Sequence, residues 1–284
     1  MKTKPQDLIL VPTDFSETCR HAVDYAAEMA QQMNFNVLLL HVITTQTRTR
    51  LKREKKGVET IIEQLAVLKK EVEKNHPIKV TYTAREGTIF DVISQVASEM
   101  KVNLMVLGTH GKKGLQYLFG SYAFKVVSQS PVPVVVIQQE SGYSSFGKIV
   151  FPVTIHIESR QQVTPTIGFH RLMGSKIIVF KQSAAEILEK NQLAIITGQI
   201  TERFENEKVP YEMHEAEKTS QYEQQLISFA REQKADAIVM MTDSRIDQPD
   251  FHNSSWSEKL IFNEAAIPVI CINPVWLGEV YFGQ

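Results

Sequence analysis

Cysteine is scarce in this sequence, which holds only two in 284 residues, Cys19 and Cys271. They are far apart and form no CxxC pair, so neither a disulfide framework nor a zinc knuckle is expected, and a reducing cytoplasm suits the chain. Charge of one sign is also missing: 31 Lys and Arg stand against 32 Asp and Glu. A dedicated nucleic-acid binder shows a basic excess, so no nucleic acid is expected as partner. Long apolar runs are absent. The first apolar stretch, Leu8 to Thr13, is six residues, too short for a signal peptide, and no window nears the roughly 18 apolar residues of a membrane span. The expectation is a cytoplasmic protein with no membrane partner. The phosphate-binding signatures GxxxxGK[ST] and GxGxxG are missing as well.

What the sequence does contain is a repeat. Asp7-Leu-Ile-Leu-Val-Pro12 is answered by Lys148-Ile-Val-Phe-Pro152, and Asn103-Leu-Met-Val-Leu-Gly108 by Ala237-Ile-Val-Met-Met-Thr242. Ser121-Tyr-Ala-Phe-Lys125 matches Ser255-Trp-Ser-Glu-Lys259, and Pro133-Val-Val-Val-Ile137 matches Pro268-Val-Ile-Cys-Ile272. Four landmarks in one order mean a tandem duplication, with domains expected at 1–140 and 146–275. Gln138 to Phe146 reads as the linker between them.

In the first half, short β-branched runs predict strands at 8–11, 37–41, 79–83, 104–107 and 134–137. Apolar residues spaced by three and four predict helices at 19–33, 58–74, 89–100 and 120–128, with Ser16 as a cap for the first. Alternation of this kind gives an α/β fold: two doubly wound domains, each a five-stranded, mostly parallel sheet with helices on both faces. The Pro-led run at 134–137 reads as an edge strand.

Ligands of such a sheet sit beyond the carboxyl ends of its strands. After the first strand comes Pro12-Thr13-Asp14-Phe15-Ser16, where a carboxylate can accept from an amine or a ribose hydroxyl; the same residues also make an ordinary turn and helix cap. After the fourth comes Gly108-Thr-His-Gly111-Lys-Lys-Gly114, and then Gly120-Ser121 opening a helix. Glycines admit a polyanion close to the backbone, and a helix start offers free amides, although a tight turn explains them equally well.

Pro12-x-Asp14-x-Ser16, His41-Val42 and Gly108-x2-Gly111 followed by Gly120-Ser121 resemble the universal stress protein family, and the resemblance spans the chain as two fused domains. It implies an adenine nucleotide α-hydrolase-like fold and a regulatory, stress-response protein that binds ATP, with magnesium accompanying the phosphates and weak ATP hydrolysis at most. Carried over residue by residue, Pro12, Asp14 and the backbone of Val42 would address adenosine, while Gly108, Gly111, Gly120 and Ser121 would hold ribose and phosphates. It further implies an intramolecular pseudo-dimer of the two domains, and a homodimer as a further assembly. Eight residues separate Gly111 from Gly120, where the family's ATP-binding pattern has nine. The alternative is a scaffold or interaction protein of the same family that has lost its nucleotide.

The second half has Thr154 where Asp14 stood, Thr242 and Arg245 in place of Gly108 and Gly111, and Ser254 in place of Gly120. It is expected to be degenerate and free of nucleotide. The remaining histidines show no metal-ligand spacing, no catalytic triad is recognisable, and Arg48 to Lys56 reads as a solvated basic loop and helix start, with docking of an anionic partner as the alternative.

Overall fold

The computed structural model describes residues 7–109, 117–139, 141–143, 145–242 and 259–274, with the backbone alone for 117–122. The chain divides into two compact units, Met1–Tyr143 and Ser144–Gln284.

In the first unit five strands, β1 (Leu8–Pro12), β2 (Asn36–Ile43), β3 (Val80–Glu86), β4 (Leu104–Thr109) and β5 (Val134–Gln138), run parallel in the order β3-β2-β1-β4-β5. β1 and β5 are buried along their whole length, as near-continuous apolar runs should be when helices cover both faces of a sheet. At the end of the order β3 is polar, with Arg85 and Glu86 exposed.

Helix α1 (Glu17–Met33) begins where the Ser16 hydroxyl accepts from the Cys19 amide and ends on Asn34 in the left-handed conformation, φ 57°. Both are ordinary capping solutions. Its inner face is largely alanine and methionine, Ala22, Ala26, Met29, Ala30 and Met33, and small residues let the helix lie close on the sheet. Helix α3 (Glu59–Asn75) buries Ile61, Leu65, Leu68 and Val72 at helical spacing; a fully buried leucine such as Leu65 contributes about 1.5–3 kcal/mol. Helices α4 (Ile89–Glu99) and α5 (Tyr117–Ser128) complete the unit. The chain steps outward from β1 through β2 to β3, then returns to the other side of β1 for β4 and β5. Right-handed crossovers therefore place α1 and α3 on one face and α4 and α5 on the other.

Two departures from the sequence reading matter. Most of the basic run is helical and only its last residues, 54–56, are loop: Thr45–Arg53 is a nine-residue helix, α2, capped by the Thr44 hydroxyl accepting from the Thr47 amide and held inward by the buried Leu51. α5 also starts at Tyr117 and not at Gly120. One glycine costs a helix only about 1 kcal/mol, so Gly120 does not force a start.

The second unit repeats the plan. Strands β6 (Lys148–Val153), β7 (Lys176–Lys181), β8 (Tyr211–Glu215), β9 (Ala237–Met241) and β10 (Val269–Ile272) run parallel in the order β10-β9-β6-β7-β8. A 3-10 turn, Ile157–Gln162, precedes α6 (Val163–Met173), followed by α7 (Ile187–Asn206) and α8 (Tyr222–Glu232). No helix among the described residues is long and apolar enough to cross a membrane.

Candidate functional site

In the first unit the direction of winding reverses between β1 and β4, which opens a crevice beyond their carboxyl ends. Pro12 is the last residue of β1, and Thr13 continues the ladder by donating its amide to the Leu40 carbonyl at 2.8 Å. The chain then turns sharply. The Phe15 amide donates to the Thr13 hydroxyl at 3.1 Å, and the Ser16 amide to Asp14 Oδ1 at 2.9 Å. This turn presents the Asp14 carboxylate to solvent. Burial pushes the Asp14 pKa up, but hydrogen bonds from Ser16 and Cys19 outweigh it and hold the carboxyl below its ordinary value. Asp14 is therefore an ionised acceptor at neutral pH.

The place of Val42 follows from strand geometry. The Leu40 carbonyl is turned toward β1, because it receives the Thr13 amide, and the Ile43 carbonyl toward β3, because it receives the Gly87 amide. Backbone groups alternate along a strand. Val42, two residues after Leu40, thus points its amide and carbonyl to the β1 side, where β1 has already ended opposite Leu40. The structure brings this backbone and the Asp14 turn together at one corner.

Two residues at the corner carry structure that the sequence did not announce. Phe15 has φ 67°, a left-handed conformation that a bulky residue adopts at a cost of about 1–3 kcal/mol and that recurs at functional sites. Its ring stacks on His41, with centroids 4.9 Å apart and planes 17° from parallel. His41 is 3% exposed, and its Nδ1 lies 2.8 Å from the Thr13 carbonyl oxygen. A carbonyl only accepts, so Nδ1 carries the proton and Nε2 is a bare acceptor. That Nε2 is buried without a hydrogen-bond partner. Burial depresses the His41 pKa; the Thr13 carbonyl and Asp14 work against it and Arg50 with it. A histidine inside an apolar strand reads as core, which is why its side chain escaped the sequence.

Gly108 lies near the end of β4, and the structure supplies a packing reason for it. A Cβ there would stand 2.7 Å from the Thr18 carbonyl oxygen and 3.1 Å from the Ala22 Cβ. The glycine lets α1 settle on β4, whatever lies in the crevice. Gly111 and His110 lie outside the described residues. Gly120 and Ser121 belong to the backbone of α5, inside its first two turns and not at its opening. The free amides of that helix start thus belong to residues before Gly120.

In the second unit the corresponding crevice lies between β6 and β9, and its polar groups are turned on one another. The Thr154 hydroxyl lies 3.1 Å from that of Ser159 and accepts from the His156 amide at 3.3 Å. The Thr242 hydroxyl donates to Asn273 Oδ1. Arg245 and Ser254 lie outside the described residues. Among the described residues no three His, Cys, Asp or Glu side chains gather as a metal site.

Comparison with known proteins places this geometry in context. Residues 7–138 match the family model described as the universal stress protein family. A universal stress protein of Methanocaldococcus jannaschii is 29% identical over 140 residues, 46% of this chain and 81% of that protein. The crystal structure of a universal stress protein from Archaeoglobus fulgidus covers 96% of this chain and 100% of its own, with a TM-score of 0.68 at 15% identity, a likeness of fold. A universal stress protein solved in complex with cAMP matches 48% of this chain and 100% of its own, at 20% identity and a TM-score of 0.40.

Proposed function

Because this chain belongs to the universal stress protein family, through residues 7–138, we propose that its first unit binds an adenine nucleotide, ATP, and that the protein acts as a regulator in a stress response. The observation that carries the proposal is the corner between Asp14 and Val42. An ionised carboxylate and a strand backbone turned past the end of β1 stand together at the crevice where ligands of this fold sit. Asp14 offers acceptors for ribose hydroxyls or an exocyclic amine, and Val42 offers one amide and one carbonyl, the pair that reads the edge of a purine.

Gly111, Gly120 and Ser121 are assigned to the phosphates by family resemblance. Magnesium enters with the phosphates. In this proposal the role is binding with little hydrolysis, since a carboxyl held below its ordinary pKa is a poor general base.

Calorimetric titration of the full chain with ATP, together with mass identification of any ligand released on denaturation, tests the proposal. One ATP per chain is expected. Asp14→Ala removes charge-assisted hydrogen bonds and should weaken binding by about tenfold or more. If the unaltered chain ignores millimolar ATP, the proposal fails and the scaffold reading takes its place.

A further inference from the structure

The basic run Arg48 to Lys56 finds no use in the corner described above, yet the structure folds it beside that corner. Helix α2 begins at Thr45, two residues after β2 ends at Ile43, so it rises from the carboxyl edge of the sheet. Two contacts fix it there: Leu51 is buried, and Arg48 Nη2 pairs with Glu86 Oε2 at the end of β3 at 2.5 Å. With Leu51 turned inward, helical periodicity turns Thr45, Gln46, Thr49 and Arg53 to the opposite face and Arg50 to its flank. Those five residues line a cleft of about 390 Å³.

Its lining is made by the side chains of two arginines, two threonines and a glutamine, with no carboxylate among these five, and the Thr49 hydroxyl donates to the Thr45 carbonyl. Elsewhere in the run Arg48 pairs with Glu86 and Lys56 with Glu54. Among the described residues neither Arg50 nor Arg53 has a carboxylate within ion-pair distance. A planar guanidinium matches two oxygens of a phosphate at once, and two of them one turn apart suit a chain of phosphates better than a single one. Proximity to the corner follows from the chain, since Thr45 comes three residues after Val42; the charge of Arg50 also works to lower the His41 pKa.

We infer that Arg50 and Arg53 form a subsite for the outer phosphates of a nucleotide held at Asp14 and Val42, so that the site reads phosphate number and prefers a nucleoside triphosphate. The inference rests on the nucleotide reading of the first unit. It gives α2 a task that the glycine loop, one residue shorter than the family pattern, would otherwise carry alone.

The test titrates the full chain with ATP, ADP, AMP and cAMP, in parallel with Arg50→Gln/Arg53→Gln and Asp14→Ala variants. The unaltered chain should bind ATP about tenfold or more tighter than AMP or cAMP, with ADP between. The double arginine variant should lose that preference while its AMP affinity stays within about twofold, which also shows that the variant is folded. Retention of the preference overturns the inference, and so does an equal loss of ATP and AMP, because an outer-phosphate subsite leaves the monophosphate untouched. An unaltered chain that binds ATP through Asp14 yet is indifferent to both arginines removes only this inference. One that binds no adenine nucleotide removes the nucleotide reading with it. Binding of an acidic peptide at the cleft, lost in the double variant while the ATP preference survives, would reassign the surface to a macromolecular partner.

Discussion

The ring of Phe15 lies on the ring of His41, centroids 4.9 Å apart, and this one contact ties the turn after β1 to the end of β2. It accounts for the positive φ of Phe15, since the left-handed turn carries the ring back over the strand end. It also covers a histidine whose single bonded nitrogen holds the Thr13 carbonyl. Asp14 stands between Thr13 and Phe15 in this arrangement, so the orientation of the carboxylate depends on the packing of its neighbours.

His41 should make stability depend on pH. Its pKa in the folded protein is below the ordinary 6.5, so as pH falls through that value the unfolded chain takes up a proton before the native ring does. Stability therefore falls on acidification until the native imidazole also protonates, and it is regained as pH rises. His41→Phe keeps a ring on Phe15 and removes the titration, at a cost of about 1 kcal/mol at neutral pH for the lost hydrogen bond. Thermal midpoints of the two proteins should converge as pH drops from about 7 toward 5. A constant difference across that range would show that His41 does not titrate as described.

Gly108→Ala separates packing from ligand contact. The new methyl would meet the Thr18 carbonyl of α1 at 2.7 Å, backbone that cannot swing aside. Overpacking of this kind costs about 1–3 kcal/mol. Urea unfolding without nucleotide should show the loss in full, whereas a variant as stable as the unaltered chain would mean that α1 shifts freely on β4. Lost ATP binding in such a variant would thus say nothing by itself about phosphate.

Much of the scaffold was legible because a parallel sheet buried on both faces leaves a plain signature: runs such as Leu8 to Val11 are apolar without alternation. Strand ends were less legible, as with β2, which extends to Ile43 because β3 keeps pairing with it after β1 has stopped. Helix α2 was hidden by composition, since Leu51 is its one buried residue and its face pattern depends on neighbours. Asp14 could be chosen by position after a strand and Val42 by family resemblance, but the left-handed Phe15 could not, because nothing in an aromatic side chain favours that conformation. For Gly108 the sequence offers the close approach of a ligand or a tight turn, and the Thr18 carbonyl that adds a packing reason comes from another element.

The two thiols should be unreactive while the protein is folded. Burial, with the nearby Asp14 charge adding to it, pushes Cys19 up to about 12, and burial alone raises Cys271. Nucleophilic attack needs the thiolate. At about pH 8 iodoacetamide should label neither cysteine appreciably in buffer and both in denaturant. Because charge contributes at Cys19, Asp14→Asn should speed labelling there and leave Cys271 unchanged; an unchanged Cys19 would show that burial acts alone.

The second unit should bind no nucleotide even when its missing carboxylate is returned. Thr154 stands where Asp14 does, but its hydroxyl is engaged with Ser159 and the His156 amide. An aspartate at 154 would meet those same donors, and a carboxylate alone does not rebuild the crevice beside it. On the facing strand, Thr242 donates to Asn273 across the place where a glycine lies in the first unit. Thr154→Asp should therefore leave the stoichiometry at one ATP per chain and change stability by no more than about 1 kcal/mol, because the new carboxylate trades one set of local hydrogen bonds for another. Removing Asp14 from the same chain isolates the question. Asp14→Ala/Thr154→Asp should bind no better than Asp14→Ala alone, and calorimetry that recovers a site in the double variant would show that the second crevice needs only its carboxylate to receive nucleotide.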